Sequence, residues 1–320
     1  MEYHLQTREH PLGFSETRAQ RLPVYRRAQP LAQSSPATGP AKSSPGSPPP
    51  TSLNATAVAL NPPHWTDCRI ELAGRLGSVP RLLVATDFDG TLTAIRPRPE
   101  EASLPPAVRS SLAALAAHPG VRVAVLSGRV LADVARLVDL PKAVYAGNHG
   151  LEIKGGGMDY IHAPALAARP MLDAAARLLE DAMAAVPGSF VEHKGLTISL
   201  HHRLAAREAM PLVEAAVAAC AARFPGLKVH HGKMVTEVRP DVAWNKGNAL
   251  KRLLKGLGLP AAAALYMGDD TTDEDAFAVL NGLGTSLHVG SDPGTRARFR
   301  LRDPDDTAEF LDWLRKLRVV

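Results

Sequence analysis

The sequence predicts an α/β protein built on a doubly wound parallel sheet, with an inserted α+β cap, and three observations predict it. Short apolar runs at Leu82–Ala85, Val121–Leu126 and Ala262–Met267 are the length of buried strands. Helical apolar rhythm fills the intervals between them, which is the spacing of βαβ units. Between about 166 and 239 the texture changes to helix, paired strands, helix, paired strands, which sets that block apart from its flanks.

In chain order, residues 1–65 hold 11 of the 27 prolines and a Ser/Pro/Ala/Gly stretch from Gln33 to Thr51. That composition predicts a disordered extension, explained equally by a flexible tether or an over-long start. Asp67–Leu76 is predicted as a helix under the sheet. The first strand, Leu82–Thr86, is followed by a helix over Pro105–Ala117 and a second strand, Val121–Leu126. A helix ending at Val138 and a third strand, Ala143–Ala146, come next. Leu151–Ile161, split by three glycines, predicts a hairpin. The cap is expected to run as helix Ala165–Val186, strand alternation over Phe190–His202 as its first strand pair, helix Glu208–Phe224, and a hairpin of Leu227–His231 with Met234–Val238. The core resumes with a helix from Lys246, a strand Ala262–Met267, and one strand and helix after Ser286. The expected division is therefore core at 66–165 and 240–320, cap at 166–239.

Composition excludes several classes. The net charge is +5 and the isoelectric point near 9.3, but the first 65 residues supply +3 of that charge. Without an aromatic-interleaved basic stripe in the remainder, nucleic acid is not the expected partner. Arg296, Arg298, Arg300 and Arg302 read as a solvated face beside Asp303, Asp305 and Asp306. Cys68 and Cys220 propose neither disulfide nor zinc site. The first residues lack a secretory apolar core, and no run reaches the 18 apolar residues of a membrane span. A reduced, cytoplasmic monomer without membrane partners is the expectation.

The chemistry is carried by loops at strand ends, where ligands bind in open α/β sheets. Asp87 and Asp89 are two apart in an extended segment and so point the same way. At about 4 Å apart, two like charges cost roughly 4 kcal/mol at an effective dielectric near 20, which favours a bound cation or one protonated acid. An Asp-Gly solvent turn is the alternative. Ser127 ends the second strand and suits either a phosphate donor or a helix N-cap. Lys246 opposes the dipole of the helix it begins by about 0.3–1 kcal/mol, unless an anion lies beside it; an exposed lysine tolerating that penalty is the alternative.

The densest signal is Gly268-Asp269-Asp270-Thr271-Thr272-Asp273-Glu274-Asp275, with five carboxylates in seven residues after an apolar strand. Helix capping explains Asp273 to Asp275 but not Asp269 and Asp270. A hard divalent cation with oxygen ligands would neutralise the cluster, and few side-chain ligands favour Mg²⁺. Nucleotide and dinucleotide loops, a H-E-x-x-H motif and a G-x-S-x-G motif are all missing, which removes kinase, dehydrogenase, zinc protease and α/β-hydrolase readings.

In this order Asp-Phe-Asp-Gly-Thr (87–91), Ser-Gly-Arg (127–129), Trp-Asn-Lys-Gly (244–247) and the acidic stretch resemble the four motifs of the haloacid-dehalogenase-like phosphatases. Gly147–Gly150, Val191–Arg203 and Glu237–Pro240 narrow the resemblance, over residues 80–320, to the trehalose-6-phosphate phosphatase family. Phe88 and Asn245 stand where many relatives have tyrosine and aspartate. The resemblance implies Mg²⁺-dependent hydrolysis of trehalose 6-phosphate through an aspartyl-phosphate on Asp87, with Asp89 as general acid and base. It implies metal ligation by Asp87, the Asp89 carbonyl and Asp269, supported by Asp270 or Asp273, and phosphoryl contacts from Ser127, Lys246 and Arg129. It further implies sugar contacts from Glu192, Lys194, Arg203 and Glu237 in the cap and Asn148 and His149 in the core. On residues alone, Glu192 and Lys194 read as a surface ion pair, and His201 and His202 as surface or packing residues. A phosphatase of another sugar phosphate, such as sucrose phosphate, and a non-catalytic trehalose-phosphate sensor are the alternatives.

Overall fold

The computed structural model describes residues 61–318 apart from 233, 234 and 293. The expected extension at 1–60, and Lys233 and Met234 of the last predicted hairpin, lie outside the described residues. After a 3₁₀ turn at Trp65–Cys68 come α1 (Arg69–Gly77), β1 (Leu82–Thr86), α2 (Pro106–Ala117), β2 (Val121–Leu126), α3 (Leu131–Val138) and β3 (Val144–Gly147). A hairpin of β4 (Glu152–Gly155) and β5 (Met158–Ile161) follows. Next come α4 (Ala163–Ala167), α5 (Arg169–Met183), β6 (Phe190–His193), β7 (Ile198–His201), α6 (Met210–Arg223), β8 (Leu227–Gly232) and β9 (Val235–Pro240). The chain ends through α7 (Lys246–Leu257), β10 (Ala264–Gly268), α8 (Glu274–Leu280), β11 (Thr285–Val289), β12 (Phe299–Leu301) and α9 (Pro304–Arg318).

The large sheet has the order β12-β11-β10-β1-β2-β3-β4-β5, parallel from β12 to β3 and antiparallel at the β4–β5 edge. Period-2 alternation along β1 shows why both faces need helices. Leu82 and Val84 enter a core with α1, α2 and α9, while Leu83 and Ala85 enter another with α7 and α8. The strands β6-β7-β9-β8 form a separate antiparallel sheet. Its Ile198, Leu200 and Val238 pack on α5 and α6 in a third core. A small cluster of Leu151, Ala165, Leu196, Val242 and Trp244 sits where the chain crosses between the two sheets.

The strand pair expected over Phe190–His202 is the hairpin β6–β7, turning over Lys194–Thr197, where Lys194 N–H donates to the Thr197 carbonyl. Four expectations are corrected. Ala165–Val186 is broken at Ala168 into α4 and α5, next to Pro164 and Pro170. Two strands, not one, precede the last helix. The structured chain begins before residue 66: Trp65 is 1% exposed, packs edge-on against Phe310 at 5.4 Å and donates to Asp306 at 2.9 Å. Asp306, placed with the arginines on a solvated face, is buried and also bonded to His64 and Arg302, which holds its carboxyl far below the ordinary range against the cost of burial.

Among the described residues no helix is long and apolar enough to cross a membrane. Cys68 is half-buried and Cys220 buried, both as free thiols.

Candidate active site

Between the carboxyl edge of the parallel strands and the open face of the small sheet lies a cavity of about 560 Å³. Asp87, Asp89, Ser127, Arg129, His149, Glu192, Lys194, Arg203, Glu237, Lys246, Asp269 and Asp270 all line it. Asp273 lies directly beneath, and Asn148 does not reach it.

The chain geometry at β1 brings the acids together. Asp87 extends the strand, its N–H donating to the Met267 carbonyl at 2.8 Å. Gly90 then turns with φ +85°, and a Cβ there would fall 2.1 Å from Asp269 Oδ2, so only glycine lets this loop close on the second acid. Thr91 Oγ1 donates to Asp269 at 3.1 Å. Asp87, Asp269 and Asp273 are buried, with one oxygen of each within 4.8 Å of the others.

Lys246 threads into this group at the first position of α7, behind an Asn245 cap that accepts from Asn248 N–H. Its ammonium lies 2.7 Å from Asp273 and 3.1 Å from Asp87, and its side chain is 2% exposed. The exposed-lysine alternative is thereby excluded. Burial disfavours the charge, but Asp273 and Asp87 outweigh that and hold the lysine above its ordinary value. Burial, with Asp273 and Asp269 crowding it, pushes Asp87 well above the usual carboxylate range despite Lys246. The cluster is thus short of positive charge at Asp87, and its all-oxygen donors fit a hard divalent cation.

Asp273, expected both to cap and to support a metal, binds Lys246, accepts from Tyr266 Oη at 2.6 Å and from Asp270 N–H at 3.0 Å. Asp270, expected in the same metal support, accepts from Thr271 N–H at 2.7 Å, so that the two acids form a reciprocal capping box. Ser127 is not a helix cap, because α3 starts four residues later after Val130. Its Oγ accepts from Arg129 N–H at 3.1 Å and lines the cavity. Arg129, expected on phosphoryl oxygens, grips both oxygens of Asp89 at 2.7 Å and the Pro99 carbonyl at 2.9 Å.

On the small sheet, register gathers the polar residues on one face. Glu192 faces Ser199, Ser199 faces Glu237, and Glu237 faces His230. Lys194 binds Glu237 at 3.1 Å and the Gly128 carbonyl at 3.0 Å, so it does not form the ion pair with Glu192. Glu192 instead meets His201 at 2.8 Å, which corrects the surface reading of that histidine. Burial opposes the Glu192 charge, but His201 and then Lys194 hold its carboxyl below the ordinary range.

Asn148 and His149 bond the large sheet's loops to the small sheet. Asn148 is fully buried: its amide donates to Glu152 and to the Lys194 carbonyl, and its oxygen accepts from Thr197 at 2.6 Å. His149 Nε2 lies 2.9 Å from Glu237 and 2.8 Å from Arg239, which itself binds Glu237. Burial drives His149 down to about 4, so the ring is neutral at pH 7. Nε2 can donate to Glu237 or accept from Arg239 but not both at once, and the buried Nδ1 has no partner.

Sequence reasoning missed Tyr266, Thr91, Arg239, Ser199 and His201. Only Tyr266 had a signal, a hydroxyl inside a buried apolar strand that requires a partner. The others depend on register or on loop closure.

The fold is shared with a solved haloacid dehalogenase-like hydrolase. A hydrolase so described from Bacteroides thetaiotaomicron matches with a TM-score of 0.55 and 16% identity, over 73% of this chain and 99% of that one. The trehalose-phosphatase family model matches residues 85–305, and the chain belongs to that family. It is 41% identical to a trehalose-phosphate phosphatase of Mycobacterium marinum over 241 residues, 73% of this chain and 61% of that one. Against one from Mycobacterium tuberculosis it is 43% identical, over 72% of this chain and 61% of that one. The chain thus spans 61% of the length of these relatives. A solved trehalose-6-phosphate phosphatase related protein matches with a TM-score of 0.66 and 25% identity, covering 74% of this chain and 98% of that one.

Proposed function

We propose that the chain is a phosphatase that hydrolyses trehalose 6-phosphate to trehalose and phosphate. The observation that carries this reading is the confluence of Asp87, Lys246 and Ser127 at one end of a cavity whose other wall presents Glu192, Lys194 and Glu237. An Asp87 oxygen attacks phosphorus and the phosphorus–sugar oxygen bond breaks, leaving an aspartyl-phosphate. Asp89 gives its proton to the departing sugar oxygen, then takes one from the water that hydrolyses the acyl phosphate. Lys246 and the Ser127 hydroxyl hold phosphoryl oxygens as charge redistributes.

Asp89 is bonded to Arg129 in the structure, so proton donation requires that pair to part. A phosphate entering beside Arg129 offers the guanidinium a competing partner. Mg²⁺ fits the donor set of Asp87, Asp269 and the Asp89 main-chain carbonyl, where it would neutralise and orient the phosphoryl group. The small sheet with α5 and α6 serves as the cap, excluding bulk water and bringing Glu192, Lys194, Arg203 and Glu237 to the sugar.

Phosphate release from a panel of phosphosugars, with Mg²⁺ and with EDTA, tests the reading. Trehalose 6-phosphate should give the highest kcat/KM and EDTA should stop turnover. Preference for sucrose 6-phosphate would overturn the substrate, and EDTA-insensitive turnover would overturn the metal.

A further inference from the structure

The cavity carries apolar surface that the reaction does not use. Phe190 lines the cavity with 43% of its surface exposed. In a short amphipathic strand a phenylalanine belongs on the buried face, yet alternation along β6 sets it on the face of Glu192, opposite His201. Its ring stacks on the His201 imidazole with centroids 4.4 Å apart and planes 12° from parallel. Glu192 holds His201 in place at 2.8 Å. One face of the phenyl ring is therefore covered and its orientation fixed from below. From the core side Ile95 lines the same cavity and is also 43% exposed.

Strand geometry gives the scale. The Lys194 ammonium, bonded to the Gly128 carbonyl, reaches beside Ser127 at the phosphoryl end. Four residues of extended chain, about 14 Å at roughly 3.4 Å each, separate the Lys194 backbone from Phe190. A phosphate with one pyranose ring does not fill that length, whereas a second ring reaches the phenyl group.

We propose that Phe190 is a platform for the sugar ring that does not carry the phosphate. The proposal rests on the sugar-phosphatase reading above. The negative face of an aromatic ring attracts the polarised C–H groups of a pyranose face and removes apolar area from water at both partners. His201 is the positioning residue: it touches the phenyl ring and sets its plane.

The test measures kcat and KM for trehalose 6-phosphate, a two-ring substrate, and glucose 6-phosphate, a one-ring substrate. In Phe190→Ala the ratio of the two kcat/KM values should fall about 3- to 10-fold, the size expected for one aromatic contact, through KM rather than kcat. Phe190→Trp should restore the ratio. His201→Ala should lower it in part, and His201→Phe, which keeps the stack, should return it. A ratio unmoved by Phe190→Ala, with p-nitrophenyl phosphate turnover attesting a folded enzyme, overturns the platform. A wild-type enzyme that releases no phosphate from either sugar overturns instead the reading on which the platform rests.

Discussion

At the exit of β1, substitutions of opposite sign of charge should move stability in opposite directions. Burial and the neighbouring Asp273 and Asp269 raise Asp87, so in metal-free protein its charge works against folding near pH 7. Asp87→Asn should raise Tm in EDTA while lowering phosphate release about a thousandfold or more, as loss of a nucleophile does. Wild-type-like turnover would remove Asp87 from its proposed role. Lys246→Met should do the reverse to stability, because it leaves Asp87 and Asp273 buried without their shared ammonium. Breaking such a pair costs about 3–5 kcal/mol, which denaturant unfolding would register. The residue identities at this site were legible because each sits at a strand end in a conspicuous motif. Their division of labour was not, since it turns on the partners each carboxylate finds: in one short loop Asp273 takes Lys246 and Tyr266 while Asp270 takes Thr271.

Elements were read from apolar periodicity, and the parallel core obeyed it because its strands are buried on both faces. Val121–Leu126 and the helix from Lys246 fall where the pattern puts them. The pattern is silent where a turn carries few signals. The turn inside Phe190–His202 was not placed, because Gly195, with φ +80°, is the only strong turn residue there. At the start of the described chain, prolines at 62 and 63 hid the fact that Pro63 and His64 pair with Arg300 beside β12. Trp65 then closes the end of the core against Phe310 and Trp313. Removing that side chain takes away a buried indole and leaves an Asp306 oxygen without one of its donors. Trp65→Ala should therefore destabilise by about 3–5 kcal/mol. A loss below 1 kcal/mol in urea melts would mean that the segment before α1 is dispensable to the core.

Across the whole molecule, the two sheets meet through a seam that the sequence could not reveal, since it joins residues 40 to 90 positions apart. Asn148 and His149 both adopt positive φ, 49° and 57°, which costs non-glycine residues about 1–2 kcal/mol each. The seam offsets that strain with the bonds of Asn148 to Lys194 and Thr197, and of His149 to Glu237. Because burial lowers His149 from 6.5 to about 4, its contribution is complete above pH 6.5, where the ring is neutral in folded and unfolded chains alike. Below that the unfolded chain binds the proton first, so stability falls as pH drops from about 6.5 to about 4. The full loss is on the order of 3 kcal/mol, at 1.36 kcal/mol per unit of displacement. Glu237 is held well below its ordinary range, with burial opposing and His149 and Lys194 prevailing, so it adds its own loss only at lower pH. His149→Asn keeps a residue that tolerates positive φ but does not titrate. Melting curves of wild type and variant should therefore converge as pH falls from 7 to 4, the wild type having the steeper descent. Parallel descents would show that the histidine is not the group through which acid loosens cap from core.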